Sequence, residues 1–212
     1  IDNNSSDGYV IPDEFSGRVS VFTEEATVKR FTKVTHESIL QKYFLWVKDT
    51  CHWLVVMDMD EFLYSRHITR SVREILEEIP QNIQSVRVFW LEFLGDGIVQ
   101  DPEYKVKSYR LCHPEYTLIP KSKNHVCGKT ISRCRLTTEV SVHTSLGSGG
   151  HLQIFPEHNS LCINHYRFQS FEYTIGIKEQ RGGGNQKSRY NLSVNLFGQL
   201  IEKSLNLTSD GI

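Results

Sequence analysis

Three carboxylates fall within four positions at Asp58-Met59-Asp60-Glu61, between the apolar runs Trp53-Leu54-Val55-Val56-Met57 and Phe62-Leu63-Tyr64. Burying a carboxylate is costly unless it is paired or holds a metal. In an extended chain, residues two apart point to the same side. Asp58 and Asp60 are therefore expected to face one ligand together, with Met59 turned away. Two hard oxygen ligands suit Mg²⁺ or Mn²⁺, which usually bind through one or two carboxylates plus the phosphates of a substrate. A short apolar run reads as a buried strand, so the acids are placed at its carboxyl end, where open α/β sheets bind ligands.

The elements that must position this stretch follow from periodicity. Residues 18–22 alternate and read as a strand. Residues 36–50 carry Ile39, Leu40, Tyr43, Phe44 and Val47 on one helical face. Ser71-Val72-Arg73-Glu74 is a capping box opening a helix that Pro80 ends. Residues 85–93 alternate as a strand and run into Glu92-Phe93-Leu94-Gly95-Asp96-Gly97. Beyond residue 104 the texture changes to short alternating runs (104–111, 116–119, 129–136, 139–143, 152–155 and 161–166) separated by Gly, Pro, Ser and Asn. Gly147-Ser148-Gly149-Gly150 reads as a flexible loop, 170–180 as a helix with Ser170 at its N-cap, and 187–206 as a last helix. Strands alternating with helices predict an α/β fold whose mainly parallel central sheet is flanked by helices, with a β-rich second half.

Bulk properties exclude several classes. The 212 residues suffice for one domain with a sizeable core, and a net charge of −1 gives no basic excess for nucleic acid. No apolar run approaches the ~18 residues of a membrane span, and no signal-peptide pattern is visible. The five cysteines, with no C-x-x-C pair, read as buried free thiols in a reducing compartment. The sequons at Asn4, Asn191 and Asn206 carry little weight beside that reading.

Asp2-Asn3-Asn4-Ser5-Ser6-Asp7-Gly8, followed by Trp53 and Asp58-Met59-Asp60-Glu61-Phe62, resembles the GT-A glycosyltransferases, in particular the family 2-like and family 92-like group. Gly128-Lys129-Thr130-Ile131-Ser132-Arg133, Val142-His143, Asn164-His165-Tyr166-Arg167-Phe168-Gln169-Ser170 and Lys178-Glu179-Gln180-Arg181-Gly182 continue the likeness in order. The ordered set is more specific than D-x-D alone. Domains of this kind occur in large DNA viruses and bacteria, and a cytoplasmic location is expected. Two departures stand out. The group's first strand and helix have no counterpart here, and Gln169 occupies a position where the group usually has Lys.

The resemblance implies a GT-A domain over residues 1–212, with a nucleotide-binding half at 1–100 and an acceptor-binding half with C-terminal helices at 101–212. It implies a metal-dependent, inverting transfer of a sugar from a nucleotide-sugar donor, a UDP-sugar first among them, to a glycan hydroxyl. Asp58 and Asp60 would hold Mn²⁺ or Mg²⁺ on the donor diphosphate, with His165 and His143 completing the metal site. Asp2, with Asn3 and Asn4, would meet the nucleobase or ribose. Lys129, Arg133, Arg167, Lys178 and Arg181 are candidates for phosphate or acceptor contacts. Inversion needs a carboxylate base for the acceptor hydroxyl. Asp96 is the first candidate and Glu92 the second, while Glu61 orients the metal ligands. Trp53, Trp90, Tyr64 and Phe93 lie near these residues in sequence.

Two rival readings remain. A haloacid-dehalogenase-like phosphatase also uses D-x-D at a strand end, but it wants Thr or Val where Phe62 stands. A non-catalytic module that binds a sugar nucleotide or glycan is the other.

Overall fold

Residues 83–92 are the central strand, because both of their faces are apolar enough to be covered. The computed structural model describes residues 1, 10–24, 33–93, 98–110, 128–154, 160–166 and 169–173. Its strands are β1 (Trp53–Val55), β2 (Glu61–Ser65), β3 (Ile83–Glu92), β4 (Gly128–Arg133), β5 (Thr137–Val140), β6 (Ser145–Gly147), β7 (Gly150–Ile154) and β8 (Leu161–His165). The helices are α1 (Lys33–Val47), α2 (Val72–Glu77), α3 (Lys105–Ser108) and α4 (Phe171–Tyr173). Six strands form one sheet in the order β1-β4-β3-β8-β2, with β7 also on β3, and β5 and β6 form a separate ribbon.

The sheet is mixed, which corrects the expectation of a mainly parallel one. β3 runs parallel to β7 and β8, but it is antiparallel to β4. The β1–β4 and β2–β8 pairs are antiparallel as well. The physical reason lies in the acidic stretch. Residues 53–64 are not one strand but two, separated by a turn in which the Glu61 amide donates to the Asp58 carbonyl at 3.1 Å. The turn reverses the chain, so β2 returns against the direction of β1, and the two strands settle at opposite edges of the sheet. Antiparallel neighbours need no crossover helix. The α/β character itself holds.

Alternation along β1 decides what covers each face. Trp53, Val55 and Met57 pack with a core of Ile75, Leu76 and Ile79 from α2 and the residues after it, Val86, Val88 and Trp90 from β3, Ile131, Ile154, Leu161 and Ile163. Leu54 and Val56 point the other way, to Leu40 and Phe44 of α1 and to Val140. Fully buried side chains such as Val86, Ile131 and Leu161 each contribute about 1.5–3 kcal/mol by leaving water. The capping box forms as expected: Ser71 Oγ accepts from the Glu74 amide, and the Glu74 carboxylate accepts from the Ser71 amide. Ser170 likewise caps α4 by accepting from the Tyr173 amide at 3.1 Å.

Three local expectations fail. Residues 18–22 form no strand; a 3₁₀ turn at Asp13–Phe15 precedes them and an isolated β-bridge at Thr23 follows. In residues 104–111, expected as a strand, the Lys107 and Ser108 amides instead turn back onto the Tyr104 carbonyl to make α3. A run that short fits one helical turn as well as a strand. The Gly147–Gly150 stretch is no flexible loop. It is the tight link from β6 to β7, with Gly149 at φ 135° and the Gly150 amide donating to the Asn82 carbonyl at 2.8 Å. A Cβ at Gly149 would lie 2.6 Å from the Asn82 oxygen. The expected run 116–119 and the helix at 187–206 lie outside the described residues, as does the 174–180 part of the helix that Ser170 opens.

Gly149→Ala combines a disfavoured backbone with that overlap and is expected to lose roughly 2 kcal/mol or more in urea unfolding. Gly17→Ala, where nothing lies within 4 Å of the added carbon, should leave the midpoint unchanged or slightly raised.

Candidate functional site

One end of the sheet gathers the chemistry. β1, β3 and β8 finish there, and β4 and β2 begin there. Strand direction alone therefore brings together the Asp58–Glu61 turn, Glu92, Lys129 and His165. The register makes the meeting closer still, since His165 lies opposite both Glu61 of β2 and Glu92 of β3.

Lys129 is the buried hub. Its side chain is 0% exposed, and its ammonium meets Asp58 Oδ2 at 2.9 Å and Glu61 Oε2 at 3.1 Å. It also donates to the Val142 carbonyl at 3.1 Å. An ammonium has three protons, and each finds an acceptor here. Glu61 is just as enclosed. Burial pushes its carboxyl up, while the hydrogen bond from the Asp58 amide and the Lys129 charge pull it down. Its place in the turn, bonded to the Asp58 amide and to Lys129, is that of a residue that shapes the acidic turn. Met59 is 98% exposed at the tip of the turn. Because the chain bends here rather than running extended, Asp58 meets Lys129 while Asp60 meets His165, which corrects the expectation that the two acids face one ligand together.

His165 occupies the next position along. Its Nε2 faces Asp60 Oδ1 at 3.8 Å and Glu61 Oε1 at 3.9 Å, and its Nδ1 faces Glu92 Oε1 at 3.6 Å. The imidazole leans on the Trp90 ring at 4.6 Å, and the edge of His143 meets the same indole at 5.6 Å. The Asp60 carbonyl accepts from the Tyr166 amide at 2.8 Å. Tyr166 in turn stacks on Phe93 and meets the edge of Phe62.

His143 is neutral at physiological pH. Burial, reinforced by the Lys129 charge, lowers its pKa from 6.5 to about 4. It reaches the site through Trp90 and through the chain around Val142. Its own carbonyl accepts from Thr130 Oγ1 at 2.7 Å.

Arg133 stands at the other end of β4. Its guanidinium holds the carbonyls of Ile79, Pro80 and Ile83 and lies over the Trp53 ring at 4.1 Å. This is a clamp on the chain that follows α2, remote from the acidic turn. Lys129 likewise serves as an internal counter-ion. Trp53 and Tyr64 also fall toward the far end, so Trp90 and Phe93 are the two of the four named aromatics at the site. Tyr166 and Phe62 are aromatic neighbours of the turn that periodicity does not single out. The His-Tyr pair at the end of β8 is the sequence signal that points to them. Gln169, where Lys was expected, is buried and accepts from Lys105 Nζ at 2.8 Å, so a cation still stands beside that position. Asp2, Asn3, Asn4, Asp96, Arg167, Lys178 and Arg181 lie outside the described residues.

Among the described residues, no group of three or more His, Cys, Asp or Glu is gathered as a complete metal cage would require. What the strand ends do offer is a partly exposed Asp60 carboxylate facing an imidazole nitrogen. The sequence matches the family model of glycosyltransferase family 92 over residues 12–202, nearly the whole chain. The protein is a glycosyltransferase and belongs to glycosyltransferase family 92. No curated protein matches the chain. Membership of this family supersedes the phosphatase and binding-module readings. Among the described residues, no helix is long and apolar enough to cross a membrane.

Two outcomes follow from the hub and its neighbour. Lys129→Met leaves the enclosed Glu61 carboxylate without its cation and is expected to cost about 3–5 kcal/mol in urea unfolding. Adding Glu61→Gln should recover part of that loss. For His143, the unfolded chain binds a proton below about 6.5 while the folded chain does not until about 4. Stability should therefore fall as pH drops through that window. The loss between about pH 7 and pH 5, read from urea midpoints, should be smaller in His143→Gln than in the parent.

Proposed function

We propose that this end of the sheet is the donor site of a GT-A-type, metal-dependent, inverting transferase that moves a sugar from a nucleotide-sugar, a UDP-sugar first, to a glycan hydroxyl. The observation that carries the reading is the convergence of Asp60 Oδ1 and Glu92 Oε1 on the two nitrogens of His165 beside a turn fixed by Lys129.

The donor set fits Mn²⁺ or Mg²⁺, which take one or two protein ligands and complete their shell with phosphate and water. Asp60 and His165 are the residues that would hold the ion. Asp58 lends its carboxylate to Lys129, which makes it the shaping member of the pair. When bound, the cation neutralises the charge that builds on the departing diphosphate. Glu92 is buried beside His165 Nδ1, the position of a carboxylate that fixes the tautomer and tilt of a ligating imidazole. That role leaves Asp96, four residues after Glu92 in the sequence, as the base for the acceptor hydroxyl. The Phe93–Tyr166 stack and Phe62 offer an apolar wall against which a sugar face can rest. Asp2, Asn3 and Asn4 are assigned to the nucleoside, and Arg167, Lys178 and Arg181 to the diphosphate or acceptor.

Thermal unfolding against a panel of nucleotides and sugar nucleotides, with and without Mn²⁺, tests the reading. A ligand at about 100 times its dissociation constant adds about 2.7 kcal/mol. UDP or a UDP-sugar should stabilise only with the metal, and Asp60→Ala should abolish the effect. Stabilisation that ignores the metal, or survives Asp60→Ala, would refute the assignment. Glu92→Gln should weaken Mn²⁺ about 10- to 100-fold. Asp96→Asn should spare donor binding and lower kcat about 10²- to 10⁴-fold.

A further inference from the structure

Cys51 and Cys134 meet at the end of the sheet opposite the acidic turn, with their Sγ atoms 2.7 Å apart. Cys51 follows α1, its amide donating to the Val47 carbonyl at 3.2 Å, just before β1 begins. Cys134 follows Arg133 at the end of β4 and continues the β1–β4 ladder by donating its amide to the His52 carbonyl at 3.0 Å. The two thiols are thus held by regular structure at the ends of adjacent strands. Cys162, the other described cysteine, lies on β8 opposite Tyr64, at a different place in the sheet.

We propose that Cys51 and Cys134 are a disulfide pair, a covalent staple between the edge strand β1 and its neighbour β4. The bond would close an 83-residue separation in sequence. Its place is specific. β1 pairs with β4 through only three residues, Trp53 to Val55. The Asp58–Lys129 ion pair holds this short ladder at the site end, and the Cys51–Cys134 bond would hold it at the other.

The chemistry balances with a small-molecule disulfide such as glutathione disulfide as oxidant. Cys51, the more accessible thiol, loses its proton, attacks one sulfur of the oxidant and expels a glutathione thiolate. Cys134 then gives up its proton and attacks Cys51 Sγ, which expels the second thiolate. Two protein thiols lose two electrons and two protons, and one glutathione disulfide becomes two glutathiones. Cys134 is enclosed, and burial pushes its thiol up to about 12, so it enters second.

The test equilibrates the whole chain in glutathione buffers of increasing oxidised fraction, then denatures it, blocks free thiols with a maleimide and digests it without reduction. The expected result is a Cys51–Cys134 peptide lighter than its two thiol peptides by two hydrogens. The thermal midpoint of the oxidised chain should stand several degrees above that of the reduced chain. Cys51→Ala should remove both signals, and Cys162→Ala should remove neither. Maleimide on both Cys51 and Cys134 after full oxidation would overturn the proposal, and so would recovery of Cys51 linked to any other cysteine. The linked-peptide measurement uses the parent chain, so its outcome does not depend on a variant folding.

Discussion

The ammonium of Lys129, enclosed completely between Asp58, Glu61 and the Val142 carbonyl, is the constraint on which the rest of this sheet end depends. An enclosed cation is tolerable only if its partners are in place, and an enclosed carboxylate only if its cation is. The requirement is mutual, so it fixes the start of β4, the acidic turn and the first residue of β2 relative to one another. It does so across 71 residues of sequence. The apolar core beneath supplies most of the stability, but apolar contacts are non-directional. Directional ion pairs decide where the acids sit.

That division separates two kinds of carboxylate within four residues. Asp58 and Glu61 are neutralised by the protein's own cation. Asp60, less exposed than Asp58, faces the imidazole of His165. A run of acids is thereby split into members that meet Lys129 and a member that meets His165. The same logic applies to the two histidines on Trp90. One lies between carboxylates, and the other is kept neutral by burial and by the Lys129 charge. At the far end, Arg133 satisfies the last carbonyls after α2, so the two ends of one strand, β4, carry the cations that organise both ends of the sheet.

Much of this was legible in the sequence. The capping box at Ser71, the apolar face of α1 and the strand at 85–93 all follow from spacing alone, because each is a local pattern with a local cause. The family followed from an ordered set of motifs. What escaped was long-range. Nothing local reveals that the acidic stretch bends at Asp58 and sends its two flanking strands to opposite edges, since a buried strand and two short strands joined by a turn share the same run of apolar residues. Nor does composition show that Lys129 faces inward while Arg133 reaches the other end, as both are single basic residues on one strand. β4 is just long enough to set them at opposite ends of the sheet. Strands from before and after residue 100 interleave in a single sheet, which no scan for linkers could anticipate.

Interleaving also has a consequence for synthesis. β1 pairs with β4, and β2 pairs with β8, so the acidic turn leaves the ribosome long before the strands that will hold it. Until Lys129 and then His165 emerge, the nascent chain carries two apolar edge segments and a patch of like charge with nothing to pair them. Contacts of this separation form slowly, because the entropy of closing the intervening chain opposes them before any pairing is gained. The three acids are suited to that interval, because their mutual repulsion and hydration keep two adjoining sticky segments in solution. The same charges that shape the finished site thus act, during its making, as a guard against premature association.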